Sequence, residues 1–261
     1  MNIAVSLFMA WILTAADTVG APSAVPREKG SIVVSSGTPA KIRWTAEWTM
    51  EPSREQGRPA VRFTETGRGR YTPYLQPIQW SLEAIWTADG SFHPLRFQKI
   101  ITDDGGRTIA TERKVFDPAK GILQFERETP GHAPEMKQFS APPDTLAVEG
   151  IAGILRFLPF EHWRPFTAHF FSNEPQLYEL KIQMRGRERI KTPAGELDCY
   201  KIELVPQLGV LNVLRPFLRK IYFWFSAVPP HFWVRYEGPE NGQGTPQIVM
   251  EQKSYDAGVE R

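Results

Sequence analysis

The sequence contains few of the residues from which catalytic and metal sites are commonly built. It has one cysteine, Cys199, so an intrachain disulfide is excluded. Its 5 histidines and this cysteine show no metal-ligand spacing, and no Gly-x-Ser-x-Gly motif marks a nucleophilic serine. The sequence therefore predicts no metal and no cofactor, and it favours a protein that is not an enzyme.

Net charge and long apolar runs are also limited. The formal net charge is +2 over 261 residues, so the charge of the whole chain does not favour nucleic acid as a partner. No apolar run reaches the roughly 18 residues that a membrane-spanning helix requires. A hydrophobic content of 41% with 12% aromatic residues is sufficient for one substantial core.

The first residues have the pattern of a signal peptide. Residues 3–16 form an uncharged apolar run that ends before Asp17. We predict a signal peptide over residues 1–24, with cleavage after Ala16 or Ala24, followed by a linker over residues 25–37. The run has no Lys or Arg before it, so a buried N-terminal helix is the alternative. The expected location is the periplasm.

Apolar and polar side chains alternate over many segments, which is typical of β-strands with one buried face. From Ala40 to Met50 every even-numbered residue is apolar and every odd-numbered residue is polar. Turn sequences such as Asp103-Asp104-Gly105-Gly106 recur about every eight to twelve residues, as in an antiparallel meander. We predict about ten to twelve strands in one domain over residues 38–256, with residues 257–261 as a tail.

The longest predicted hairpin runs from Tyr178 to Leu204. Pro193 fixes φ for its turn and Gly195 can take a left-handed conformation, which predicts a three-residue loop that pairs Thr192 with Glu196. This register places the apolar residues of both arms on one face. A loop of two residues would shift the register by one and bury charged side chains.

One segment has helical rather than strand periodicity. Apolar residues recur at helical spacing between Asp144, a residue suited to cap a helix, and Leu158, and Pro159 follows. The predicted fold is therefore mostly β: a highly curved antiparallel sheet, an unclosed half-barrel, cupped around one main helix.

The hairpin segment at residues 190–203, with the turn Thr192-Pro193-Ala194-Gly195, resembles the family of exported bacterial proteins known as domain of unknown function 3108. The resemblance extends from about Trp44 to Tyr255, and includes Arg156 near the end of the predicted helix and the segment at residues 222–226. It implies export and a fold similar to the half-barrels of periplasmic lipoprotein carriers. It implies no activity.

Aromatic residues on the predicted concave face are the main candidates for a binding site. If the sheet is cupped, these side chains can enclose an apolar ligand; if the helix fills the cup, they are core residues. The candidate ligand-binding residues are Trp44, Trp48, Trp80, Leu82, Trp86, Tyr178 and Tyr200.

Residues 210–218 are apolar with basic neighbours, which predicts either a lip that contacts a membrane or partner, or a covered loop. The candidate lip residues are Val210, Leu211, Leu214 and Phe217.

Two features of the hairpin are candidate functional sites. Its basic residues are predicted to share one solvent face, where interleaved acids favour a solvated surface over a site for anionic lipid. They are Arg185, Arg187, Arg189, Lys191 and Lys201. Arg189 is expected opposite Cys199, where it would lower the pKa of the thiol, although a lone strand cysteine is more often structural.

Two functions follow from these patterns. The first is a periplasmic protein that binds or carries an apolar, lipid-like ligand in its concave face. The second is a structural or adaptor module of the envelope whose cup is filled and which contacts another protein. The expected partners are a lipid, a membrane surface or an envelope protein, and not nucleic acid.

Overall fold

The computed structural model describes residues 25–90, 92–173, 175–209, 218–242 and 244–258. In these residues the chain forms one sheet of 15 strands and few helices. The strands of the first half are β1 (Glu28–Ser36), β2 (Lys41–Glu55), β3 (Arg58–Gly69), β4 (Ile78–Thr87), β5 (Pro94–Asp103), β6 (Thr108–Asp117), β7 (Ile122–Glu128) and β8 (Glu135–Ser140).

The second half of the chain extends the sheet from the other side of β1. Its strands are β9 (Thr145–Ala147), β10 (Phe166–Phe171), β11 (Leu177–Thr192), β12 (Gly195–Pro206), β13 (Ile221–Ser226), β14 (Trp233–Pro239) and β15 (Gln247–Asp256). Neighbouring strands pair in the order β8 to β1 and then β15 to β9, so β1 lies between β2 and β15. All pairs are antiparallel except β9 with β10.

The two ends of this strand order come together through side chains. Phe116 and Phe125, on β6 and β7, pack in one cluster with Ala147 and Phe171, on β9 and β10. Lys114 Nζ on β6 also donates a hydrogen bond of 3.1 Å to the carbonyl oxygen of Ser172. In the described ranges no ladder joins β8 to β9. The prediction of a mostly β fold with one large unclosed sheet is therefore confirmed.

One face of this curled sheet, here called the inner face, carries the main core. Its apolar cluster includes Trp44, Trp80 and Phe97 from the first half and Ile202 and Phe225 from the second. Side chains from both halves therefore share one interior, as expected when a wide sheet curls upon itself.

The predicted long helix between Asp144 and Leu158 is wrong in its extent. Helix α1 covers only Ile151–Leu155, and a 3₁₀ turn follows at Phe160–His162. Residues Thr145–Ala147 pair with β10 as a strand instead, and Gly150, with φ of 68°, holds a left-handed conformation that a helix cannot include. Asp144 does not cap the helix; its carboxylate lies 2.8 Å from His169 Nδ1.

The predicted register of the long hairpin is also wrong. Thr192 pairs with Gly195, so the loop contains only Pro193 and Ala194. A β-bulge between Met184 and Gly186 then shifts the register, and Ile182 meets Leu204 farther along the hairpin. Beyond the bulge, the apolar residues of both arms lie on the inner face without the predicted three-residue loop.

Other elements were missed because their patterns are short or weak. Residues 25–37 were predicted as a linker, but Glu28–Ser36 forms β1 between two strands of the sheet. The short strands β8 and β9 were not predicted either. None of the described helices has the length and apolar character to span a membrane. The predicted signal peptide and residues 210–217 of the predicted lip lie outside the described residues.

Candidate functional site

The predicted tryptophans of β2 and β4 lie on the inner face. Trp44, Trp80 and Trp86 are 4%, 4% and 1% exposed, and Trp48 is partly buried against the same cluster. Leu82 lies beside them, since strict alternation along β4 directs every second side chain inward. The structure therefore brings together five of the seven candidate residues.

The other two candidates lie on strands of the second half of the sheet, and Tyr200 belongs to the same apolar cluster. Tyr200 is buried in the second half of the sheet, where its ring stacks on Phe160 with 4.9 Å between centroids. Tyr178 lies near the start of β11 and is 41% exposed, and its hydroxyl donates to the side chain of Gln176.

Each indole of the central pair has a carboxylate acceptor. The Trp44 and Trp80 rings meet edge to face, with 5.2 Å between centroids. Trp44 Nε1 donates to Glu240 at 2.9 Å, and Trp80 Nε1 donates to Glu65 at 2.8 Å. Burial raises the pKa of Glu65, although the hydrogen bond from Trp80 opposes this shift.

The chain itself covers the inner face at the α1 side. A Cβ on Gly150 would overlap the Trp86 ring, so the backbone before α1 lies directly on that tryptophan. Phe157 stacks on Phe92 with 4.5 Å between centroids. Arg156 binds the buried carboxylate of Glu28 and fixes this segment to β1.

Two cavities in the described parts of the chain lie away from the candidate tryptophans. The larger, of about 270 Å³, is bordered by Arg219, Lys220, Tyr222, Glu237 and Gln247. The smaller, of about 20 Å³, lies between Pro94 and Pro143 near the turn after β6. The tryptophan side chains are instead in contact with other residues of the chain.

A row of charged residues crosses the inner face beside the tryptophans, and the sequence interpretation missed it. Directly paired positions on β3 to β7 place Glu65, Leu82, Lys99, Glu112 and Arg127 side by side. We call Glu65, Lys99, Glu112 and Arg127 the charged row. The sequence did contain a signal for Lys99. It lies two residues from both Phe97 and Ile101, and residues two apart on a strand share one face, which is buried here.

Most charges in this region have partners. Glu112 forms a salt bridge with Arg127, with 2.9 Å between Oε1 and Nη2. Lys114, on the same strand as Glu112, is completely buried and pairs with the buried carboxylate of Glu149. These pairs satisfy the need of buried charges for opposite charges.

Lys99 is the exception. It is 7% exposed, and in the described parts of the chain it makes no salt bridge. Its Nζ lies 4.5 Å from the centre of the Tyr71 ring and 5.7 Å from that of Trp80, so aromatic faces are its main contacts. Burial lowers the pKa of Lys99, against the opposing charge of Glu112.

Residues 70–77, here called the rim loop, cover Lys99 and the central tryptophans. Tyr71 is buried, with its ring centre 6.0 Å from that of Trp44 and 5.6 Å from that of Trp80. Its hydroxyl accepts a hydrogen bond of 3.3 Å from Asn173. Leu75, in the same loop, is 99% exposed.

A buried carboxylate anchors the rim loop to the sheet. Glu240 accepts hydrogen bonds from Arg43 Nε at 2.8 Å and from the Thr72 amide at 2.9 Å, in addition to that from Trp44. Burial alone would raise the pKa of Glu240, but these hydrogen bonds outweigh it and lower the pKa.

The predicted basic face of the hairpin is wrong, because the bulge divides it between two faces. Arg187 pairs with Tyr200 and lies over its ring at 4.4 Å. Lys201 lies on the opposite face, where it pairs with Glu188 at 3.3 Å and sits over Tyr222 and Trp224 at 4.5 and 4.8 Å. This opposite face of β12 is called the outer face.

The expected lowering of the Cys199 pKa is also wrong. Cys199 pairs with Glu188 rather than Arg189, and its side chain is buried on the outer face beside Trp224. Burial and the nearby charge of Asp198 raise the pKa of the thiol to about 12. In the described part of the chain no group of three or more His, Cys, Asp and Glu residues is placed to hold a metal ion.

Comparison with known proteins identifies the fold and the family. The chain is similar to the crystal structure of a β-barrel-like protein of the domain of unknown function DUF1849 from Brucella abortus, with 7% identity, a TM-score of 0.53 and coverage of 89% of this chain and 98% of that chain. A Bacteroides fragilis protein with a YmcC-like fold has 11% identity, a TM-score of 0.35 and coverage of 89% and 97%. No curated protein matches the chain. A family model described as "Protein of unknown function (DUF3108)" matches residues 35–250, and the chain therefore belongs to this family.

Proposed function

We propose that this protein is a non-enzymatic, exported protein of the bacterial envelope that binds an apolar, lipid-like ligand on the inner face of β2 to β6. The apolar run at residues 3–16 supports export to the periplasm. The raised pKa of the buried Cys199 thiol opposes its use as a nucleophile.

The observation that carries this proposal is the way in which the tryptophans are covered. Trp86 lies under the packed segment before α1, whereas Trp44 and Trp80 lie under Tyr71 of the rim loop. The free energy required to open a surface loop locally is smaller than that required to open a packed core element. Displacement of the rim loop would expose two adjacent indole rings, which are a suitable surface for an alkyl chain.

A second candidate function is an envelope adaptor that acts by protein contact. It is favoured by the burial of Trp44, Trp80 and Trp86 within the chain itself. The two candidates differ in a measurable property, because an adaptor with a filled interior takes up no lipid.

The first test is native mass spectrometry with lipid extraction on protein purified from the envelope of its own host. A co-purifying lipid supports the binding function. A clean mass with no lipid in the extract supports the adaptor.

The second test locates the ligand with a brominated fatty acid, whose bromine atoms quench the fluorescence of indoles in contact with the chain. We expect quenching that falls when Trp44 or Trp80 is changed to Phe. Trp224→Phe is the matched control, because Trp224 is equally buried but lies on the outer face. Quenching that depends on Trp224 alone would contradict binding on the inner face.

A further inference from the structure

The inner face contains a buried cation that makes no salt bridge with any described residue. Lys99 lies among aromatic rings, whereas Lys114, on the next strand, pairs with Glu149. A buried charge without a partner is unfavourable, and such groups occur where a protein holds a ligand or tunes a titration. A bound ligand that supplies the missing contact would explain the burial of Lys99.

The other charges near Lys99 are already engaged. Glu112 pairs with Arg127, and Glu65 accepts from Trp80. Lys99 is therefore the member of the charged row whose side chain makes no such contact with the described residues, and one negatively charged group of a ligand would give it a partner.

The position of Lys99 also matches the proposed route of a ligand. Tyr71 of the rim loop covers its Nζ, and the Trp80 ring lies against it from the sheet. An apolar chain that replaced Tyr71 over Trp44 and Trp80 would end beside this ammonium group. The same loop movement would thus open an apolar surface and a single cation together.

We propose that Lys99 binds the head group of an amphiphile that carries one negative charge, with the apolar chain of the ligand against Trp44 and Trp80. The inference rests on the proposed binding function and specifies its ligand class. A carboxylate and a phosphodiester both supply the required single charge, and a charge-assisted hydrogen bond to the lysine is the recognition element.

The test is a calorimetric titration of the purified protein with three amphiphiles of equal chain length. These are dodecanoate, dodecanol and a lysophosphatidylglycerol with a 12-carbon chain, all below their aggregation concentrations. We expect at least one anionic amphiphile to bind at least about tenfold more tightly than dodecanol, since hydrogen bonds to charged groups are among the stronger ones. The anion with the larger preference identifies the type of head group.

Variants then assign this preference to a residue. Lys99→Met should remove the preference for anions and leave the affinity for dodecanol, whereas Lys99→Arg should retain it. Lys201→Met is the matched control, because Lys201 also lies over a tyrosine and a tryptophan but on the outer face. Circular dichroism verifies that each variant is folded.

The outcomes separate this inference from the function on which it rests. If all three amphiphiles bind the wild-type protein equally, the head-group site is wrong and the binding function stands. If Lys99→Met keeps the preference, the assignment to Lys99 is wrong. If no amphiphile binds, both proposals fail.

Discussion

Lys99 on the inner face and Lys201 on the outer face have nearly the same aromatic contacts in different surroundings. Each places its Nζ 4.5 Å from the centre of a tyrosine ring and near a tryptophan. Lys201 is partly exposed and pairs with Glu188, whereas Lys99 is buried and has no such partner in the described residues. An aromatic stack is thus compatible with either setting, and the missing carboxylate makes Lys99 the functional candidate.

The largest effect should come from removing a paired lysine on the inner face. Lys114→Met leaves the carboxylate of Glu149 buried without its cation, which should lower the free energy of unfolding by about 3–5 kcal/mol. Urea denaturation measures the loss. The double variant with Glu149→Gln should recover most of it, and equal losses in both variants would contradict the importance of the pair.

The second prediction concerns the outer face near Lys201. Because the pKa of Cys199 is raised to about 12 from 9.0, the folded protein should react with iodoacetamide at pH 8 about a thousandfold more slowly than an ordinary thiol. The rate is followed by mass spectrometry, with the urea-unfolded chain as control. Rapid labelling of the folded protein would show that this part of the outer face is accessible to solvent.

The third prediction separates Lys99 from Lys114. Lys99→Met leaves no carboxylate buried without its cation. At pH 7 the substitution should therefore raise the free energy of unfolding by about 1–2 kcal/mol, since apolar replacement of buried charges is often stabilising. A destabilisation as large as that of Lys114→Met would show that Lys99 has a strong partner in the folded protein.

The pH dependence of this difference tests its cause. The lowered pKa of Lys99 means that the unfolded chain binds more protons between that pKa and the ordinary value near 10.4, so the contribution of Lys99 to stability rises with pH in this window. The advantage of Lys99→Met should therefore shrink toward zero as the pH approaches that upper value. When the two proteins are compared at each pH, the contributions of the tyrosines and of Cys199 to the pH dependence of stability cancel.

Alternation predicted most strands, because each has one buried face, but it could not predict their long-range partners. The bulge at Gly186, with φ of 112°, corrects the hairpin register after a two-residue loop, and nothing in the local pattern distinguishes this solution from a longer loop. The helical spacing before Leu158 was overridden by pairing with β10 and by Gly150. Tertiary contacts decided both cases.

The candidate site was predictable in its aromatic part only. Trp44 and Trp80 followed from alternation, whereas Tyr71 lies in a loop whose inward direction depends on the anchor at Glu240, far away in the sequence. The inward direction of Lys99 could have been predicted from the alternation along its strand. Its lack of a salt bridge could not be predicted, because Glu112 pairs instead with Arg127 on the neighbouring strand.

The smallest effect should come from Lys201→Met, which completes the comparison. The exposed pair with Glu188 and the contact with Tyr222 are each worth a few tenths of a kcal/mol to about 1 kcal/mol, and methionine retains much of the packing on the rings. We expect the free energy of unfolding to fall by about 0.5 kcal/mol in dilute buffer, and by less in 1 M salt, because mobile ions screen exposed charges. The effect of Lys99→Met should not depend on salt in this way, since a group buried beneath Tyr71 is shielded from those ions. If both variants respond equally to salt in urea denaturation, Lys99 is as accessible as Lys201 and the distinction between the two lysines is wrong.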